Sequence, residues 1–234
     1  MAKITVAKNA GYCYGVRRAI EKAQGCAKAG EGPVYTAGPL IHNKFVVSQL
    51  EGQGIYSRDT IEAIPDGAQV VVRAHGITRQ QQEQLEQKGC RIVDATCPHV
   101  ARIHRIVEEE SAKGRHILII GSRAHPEVVG IASRCGQHTV LENLEEVAEF
   151  IKNLEEKPLS VVAQTTFNRE IFVNCTNLLK NTCKSIGIFD TICNATDERQ
   201  REARTLAAES DAVIVIGDKT SSNSRRLYEI CCQV

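Results

Sequence analysis

The strongest constraint on this chain is an alternation of two kinds of segment. The runs "KITVAK" (3–8), "PVYTAG" (33–38), "AQVVVRA" (68–74), "CRIVDAT" (90–96), "RHILIIG" (115–121), "LSVVAQT" (159–165), "IGIFDT" (186–191) and "DAVIVIG" (211–217) are short, rich in β-branched residues and bounded by turn residues. They predict strands. Between them lie amphipathic stretches at 16–29, 98–113, 168–183 and 195–209. In 98–113, Val100, Ile103 and Val107 recur on one helical face, the face expected to be buried. Strands alternating with helices predict an α/β protein whose small parallel sheets are covered by helices. A chain of 234 residues can bury a substantial core, as one domain or as two or three small lobes.

A weak internal repeat favours three lobes. Cys13, Cys97 and Cys193 each stand where an extended segment gives way to a helical pattern, 84 and then 96 residues apart. Gly38 in "TAGPLIHN", Gly121 in "IIGSRAHPEV" and Gly217 in "VIGDKTSSNS" repeat with almost the same offsets, 83 and 96. A third element occurs twice, around His75 in "VVVRAHGIT" and Thr165 in "SVVAQTTFN". Its third copy would fall near position 258, so the repeat is expected to leave the third lobe incomplete. The expected lobes are 1–95, 96–185 and 186–234, arranged about a pseudo-threefold axis as a trefoil around a central cavity.

Composition narrows the function classes. The net charge of +1 gives no sign of a nucleic-acid-binding surface. Lys3 and Lys8 interrupt the start of the chain, and the longest apolar runs are of strand length, so neither a secretory leader nor a membrane span is expected. A cytoplasmic monomer is the expectation. Ten cysteines in a reducing compartment favour metal or catalytic use over disulfides. Cys26, Cys90, Cys135, Cys175 and Cys183 sit in helical or strand-edge patterns and read as small buried hydrophobes.

Parallel α/β units carry functional residues on loops beyond the carboxyl ends of their strands. A threefold arrangement would point Cys13, Cys97 and Cys193 at one cavity. Three thiolates are one short of a closed structural zinc site, and suit either an open metal site or a [4Fe–4S] cluster with one iron free. Pro98 places Cys97 at a helix N-cap, where the helix start is expected to lower the thiol pKa. The spacing contains no CxxC pair and leaves buried thiols as an open alternative.

His42, His75 and His125 each follow a strand, in repeat-related positions. In the third lobe Ser221, Ser222 and Asn223 open a helix. Helix-start N–H groups with hydroxyl and amide donors suit phosphate oxygens, and histidines across the cavity would complete a diphosphate site. Ordinary capping and structural histidines are the competing explanations. His99, His104, His116 and His138 lack that placement. Glu127 is the one carboxylate in these loops placed to act as an acid, if burial raises its pKa; it could equally be a first-turn glutamate favoured by the helix dipole. Thr165 and Thr166 could relay a proton or hold a substrate hydroxyl, or serve only as turn and capping residues.

Together, "GYCYGVRRAI", "GPLIHNKFVV", "VVRAHGI", "DATCPHV", "AHPEVVG", "QTTFN", "DTICNAT" and "SSNSRRL" resemble, in order, the LytB/IspH family of 4-hydroxy-3-methylbut-2-enyl diphosphate reductases, from residue 11 to about 227. The resemblance implies a trefoil around a [4Fe–4S] cluster and the last step of the non-mevalonate isoprenoid route. It implies cluster ligation by Cys13, Cys97 and Cys193, diphosphate binding by His42, His75, His125, Ser221, Ser222 and Asn223, and proton donation by Glu127. Thr165 would work beside Glu127 on the substrate hydroxyl. Reduced ferredoxin or flavodoxin would be the electron donor. The family's further strand with a "TAGAST"-like segment has no counterpart here, so weakened substrate binding and low stability of 185–234 are expected. Two other readings stand beside it: a metal-dependent hydrolase using the Cys and His loops, and an inactive cluster- or diphosphate-binding fragment.

Overall fold

The computed structural model describes residues 3–30, 32–154 and 157–234. Among them two four-stranded sheets form, both wholly parallel. The first contains β1 (Val34–Ala37), β2 (Ile55–Arg58), β3 (Gln69–Val72) and β4 (Arg91–Asp94) in the order β2-β1-β3-β4. The second contains β5 (His116–Ile120), β6 (His138–Leu141), β7 (Leu159–Ala163) and β8 (Ile186–Ile188) in the order β6-β5-β7-β8. The two orders are the same topology used twice, which is the physical content of the repeat in the sequence.

Helices cover both faces of each sheet because the strands are apolar on both faces. In the second sheet, Ile117, Ile119 and Val162 pack against Ile103 and Val107 of α4 (Pro98–Ala112) and Val128 and Ile131 of α5 (Pro126–Ala132). The alternate residues Leu118, Ile120 and Val161 face Val147 of α6 (Leu144–Lys152) and Phe172 and Leu179 of α7 (Arg169–Thr182). Every β5 and β7 residue is buried. In the first sheet, Val34 and Val71 meet Ala19 and Ala23 of α1 (Tyr14–Lys28) and Val46 and Leu50 of α2 (Lys44–Glu51). Val70 and Val72 meet Leu85 of α3 (Arg79–Gln87) on the other side. Each such fully buried aliphatic side chain contributes about 1.5–3 kcal/mol.

The alternation therefore reads correctly for the central strands, and the edge strands β2 and β6 are additions. Each has four residues and is only partly buried, a pattern close to that of a turn. β8, expected in the third lobe, pairs with β7, so the second sheet extends beyond residue 185. Of the five thiols read as buried hydrophobes, Cys175 is fully buried, and Cys26, Cys90, Cys135 and Cys183 pack against the edges of the cores.

Two expected strands do not form. Residues 3–7 and 211–216 carry the β-branched pattern but join no ladder, and Ile4, Val6, Ile214 and Ile216 are 87%, 76%, 85% and 92% exposed. A strand is stabilised by its neighbours' hydrogen bonds and by the face it buries, and these segments have neither. They flank α8 (Asn194–Ala208), against which α9 (Ser222–Cys231) packs. No helix among the described residues is long and apolar enough to cross a membrane. Hydrogen exchange should show amides of 212–216 exchanging close to unstructured rates, with Ile117–Ile120 and Val161–Ala163 protected to the global limit. Equal protection of both regions would contradict this fold.

Candidate functional site

In each sheet the strand order reverses beside the strand that comes first in sequence, opening a crevice at the carboxyl ends of β1 and β3 and again of β5 and β7. The loop after β1 carries His42 and the loop after β3 carries His75. After β5 come His125 and Glu127, and after β7 comes Thr165. The loops after β4 and β8 end at Cys97 and Cys193, the N-caps of α4 and α8. Cys13 caps α1 with no strand before it.

Two equivalent backbone bonds tie cysteine to functional loop. The Cys97 N–H donates to the Ala74 carbonyl at 2.9 Å, next to His75, and the Cys193 N–H donates to the Thr165 carbonyl at 3.0 Å. The start of α1 reaches the same place: a Cβ built on Gly15 would lie 2.6 Å from Cys97 Sγ. Only glycine lets α1 approach so closely. The three thiols are thus within electrostatic reach of one another. The Cys97 thiol is raised, where the sequence suggested that its helix start would lower it. Burial pushes the Cys97 and Cys193 thiols up, nearby thiols add to this, and the N–H groups of His99 and Val100 or of Ala195 and Thr196 only partly offset it. Three thiols at neighbouring helix starts, with the close approach at Gly15 beside one of them, are a fitting donor set for an iron–sulfur group.

Glu127 is 1% exposed and pairs with a single residue. Oε1 accepts the Thr165 N–H at 2.6 Å and Oε2 accepts the Thr165 hydroxyl at 2.7 Å. Burial raises the carboxyl pKa to about 7, the two hydrogen bonds from Thr165 notwithstanding. Glu127 is also close enough to Cys193 to act on its thiol electrostatically.

The histidines form one cluster. Ring centroids are separated by 4.6 Å for His42 and His75, 5.4 Å for His42 and His125, and 5.3 Å for His75 and His125. His125 Nδ1 accepts the Glu127 N–H at 3.2 Å, which leaves its Nε2 as the protonated nitrogen. His42 Nε2 and His75 Nδ1 are buried with no partner. Burial holds all three rings below the usual imidazole pKa, His125 at about 4 and His75 well down. A ligand with several oxygen acceptors would satisfy these unpartnered nitrogens.

The third region closes the pocket. Asp218 accepts the Lys44 N–H at 3.0 Å, docking the loop before α9 against the start of α2. Those bonds, with two more from Thr220, hold the Asp218 carboxyl down to about 2. Ser222 Oγ accepts from Thr166 Oγ1 at 3.1 Å and from Gln164 Nε2 at 3.4 Å, while Ser221 caps α9 by accepting the Ser224 N–H. A cavity of about 200 Å³ opens here, lined by His125, Gln164, Phe167, Ser222, Arg225 and Arg226 among others. A larger open groove of about 520 Å³ beside Thr78 and Val129 contains none of the groups with chemistry. Gln164, which joins the β7 loop to α9, escaped sequence reasoning; a polar side chain ending an apolar strand is its only signal. His104 lies behind the site against Gly76, and His116 bonds Thr139.

The fold and this constellation define a class: α/β proteins in which three cysteine-capped helix starts lie near a cluster of three histidines and one buried carboxyl. Comparison with known proteins is specific. The LytB protein family matches residues 4–234, and the chain belongs to that family. The 4-hydroxy-3-methylbut-2-enyl diphosphate reductase of Clostridioides difficile is 39% identical over 97% of this chain and 82% of its own length. Its namesake from Aquifex aeolicus is 38% identical over 98% of this chain and 80% of its own. A solved structure of this reductase, described as the terminal enzyme of the non-mevalonate pathway, superposes with a TM-score of 0.77 at 38% identity, covering 100% of this chain and 83% of the other. The Plasmodium falciparum reductase superposes with 0.89 at 31% identity, covering 95% and 71%.

Thr165→Val should raise the Glu127 pKa further above 7, because the lost hydroxyl favours the ionised form. Carbon-13 NMR of the labelled carboxyl checks this; a fall, or an ordinary carboxylate value in the parent chain, would contradict the geometry.

Proposed function

We propose that this chain reduces (E)-4-hydroxy-3-methylbut-2-enyl diphosphate to isopentenyl and dimethylallyl diphosphate. The observation that supports it best is the continuous linkage from His125 through Glu127 and Thr165 to Cys193, which puts an anion pocket, a proton and a thiol site in one unit. Membership of the LytB family supports the same reaction.

Cys13, Cys97 and Cys193 would hold a [4Fe–4S] cluster, which when bound supplies the two electrons. The diphosphate end is taken by His42, His75, His125, Ser221, Ser222 and Asn223. The unpartnered His42 Nε2 and His75 Nδ1 and the His125 Nε2–H are its ring contacts. The allylic hydroxyl would then lie toward Thr165. Glu127, protonated below about pH 7, donates through the Thr165 hydroxyl toward the leaving oxygen. The C–O bond breaks, two electrons and two protons are taken up, and one oxygen leaves as water. The burial that raises the Glu127 pKa would also keep bulk water from that carboxyl.

Within the same proposal the chain works as a cytoplasmic monomer of three lobes, 1–95, 96–185 and 186–234, reduced by ferredoxin or flavodoxin. A reducing compartment suits ten free cysteines. A metal-dependent hydrolase is less well supported, because the buried Arg73 guanidinium acts on all three histidine rings and disfavours a bound cation.

Anaerobic reconstitution with iron and sulfide should give a brown protein with about four irons per chain that turns over with a reduced donor. Cys97→Ser should lose the colour and the turnover together. A colourless zinc protein, or full colour in Cys97→Ser, would overturn the assignment.

A further inference from the structure

Three neutral imidazoles make a pocket rich in hydrogen-bond donors and poor in charge, and Asp218 adds a negative charge beside His42. A polyanion needs a counter-charge. Arg226 is engaged with Glu229 at 2.7 Å and lies over Phe167, and Arg225 is exposed to screening solvent. Arg73 is different. It directly follows β3, two residues before His75, and is half-buried. Its Nε donates to the Gly76 carbonyl at 3.2 Å. The guanidinium lies against Gly38 in the His42 loop, so closely that a Cβ there would be 2.5 Å from NH1; Gly38 also has φ +76°, which glycine alone adopts freely. Among the described residues no carboxylate lies within ion-pair distance of Arg73, though its charge reaches His42, His75 and His125 alike. A desolvated cation without a partner is costly. Such a group persists where a ligand supplies the missing anion.

We propose that Arg73 is the permanent positive charge of the histidine pocket, selecting a polyanionic ligand and holding its affinity steady through neutral pH. This rests on the histidine cluster being the diphosphate end. It adds a residue that supplies charge from behind the rings and so fixes specificity. The groups facing the cluster are Arg73 from the loop after β3, Asp218 and Arg225 from the third region, and the Glu127 N–H from α5. Burial is the first cause that holds the rings neutral and it remains when Arg73 is removed, so the histidines would not replace the lost charge at neutral pH.

The test is calorimetric titration of inorganic pyrophosphate into the full, cluster-loaded chain between pH 5.5 and 8, corrected for the ligand's own ionisation. The parent chain should bind with nearly constant affinity. Arg73→Gln should bind roughly 10–100-fold more weakly at pH 8, the loss expected for one charge-assisted contact. The deficit should persist as the pH falls through neutrality, because burial still holds the rings neutral. Arg73→Lys should restore most of the affinity at pH 8, and in turnover Arg73→Gln should raise KM far more than it lowers kcat. Parent affinity that declines tenfold per pH unit through neutrality would overturn the proposal without any variant. So would an Arg73→Gln chain that binds like the parent, or one that is weakened and not rescued by lysine. His42→Ala is the separate control: unchanged pyrophosphate binding there would sink the diphosphate reading itself.

Discussion

A carboxyl group with no solvent and no cationic partner sits at the centre of this structure. Glu127 is placed by a short chain of local causes. After the short loop 121–125 that follows β5, the Pro126 ring starts α5 and His125 caps it, and Glu127 in the first turn is buried. Thr165 then satisfies both carboxyl oxygens. Burial without a counter-charge favours the neutral acid, and a pKa of about 7 is the consequence. The Thr165 carbonyl simultaneously receives the Cys193 N–H, so the group that orients the proton also positions the thiol.

The duplicated sheet explains why such a site can be assembled from distant segments. Each copy delivers a residue after its first strand, another after its third, and a cysteine after its fourth, with the cysteine N–H hung on the third-strand loop. The copies have diverged in the position after the third strand, His75 in one and Thr165 in the other. In the proposed function the first lobe would contribute His42 and His75 as anion donors, and the second both His125 and the Glu127–Thr165 proton route. The third region has no sheet of its own among the described residues, and is docked instead through Asp218 and through Ser222 with Thr166 and Gln164.

Much of this was legible in the sequence because strand and helix periodicities are local properties. The central strands β3, β5 and β7 and the helices α1, α4, α7 and α8 follow from their apolar patterns. So does the placement of Cys97 and Cys193 at helix starts. What failed were features decided by neighbours. The segment 211–216 has a strand's composition but no strand beside it, and β2 and β6 are strands only because β1 and β5 lie alongside. The thiol pKa was misjudged in the same way, since the helix-start effect is readable from Pro98 whereas burial is not. Arg73 and Gln164 gave no periodic signal at all; their roles come from what two loops bring near them.

The central claim is that one buried acid, acting beside a neutral anion pocket, supplies the proton for reduction. It is tested most directly by the pH dependence of kcat in the cluster-loaded chain, set beside Glu127→Gln. The account predicts a kcat that falls as pH rises through about 7, as the carboxyl ionises. It predicts that Glu127→Gln keeps its cluster and its pyrophosphate affinity but turns over roughly 10²–10⁴-fold more slowly, without that limb. Turnover by Glu127→Gln at the parent rate, or a parent kcat flat across pH 6 to 8, would contradict it.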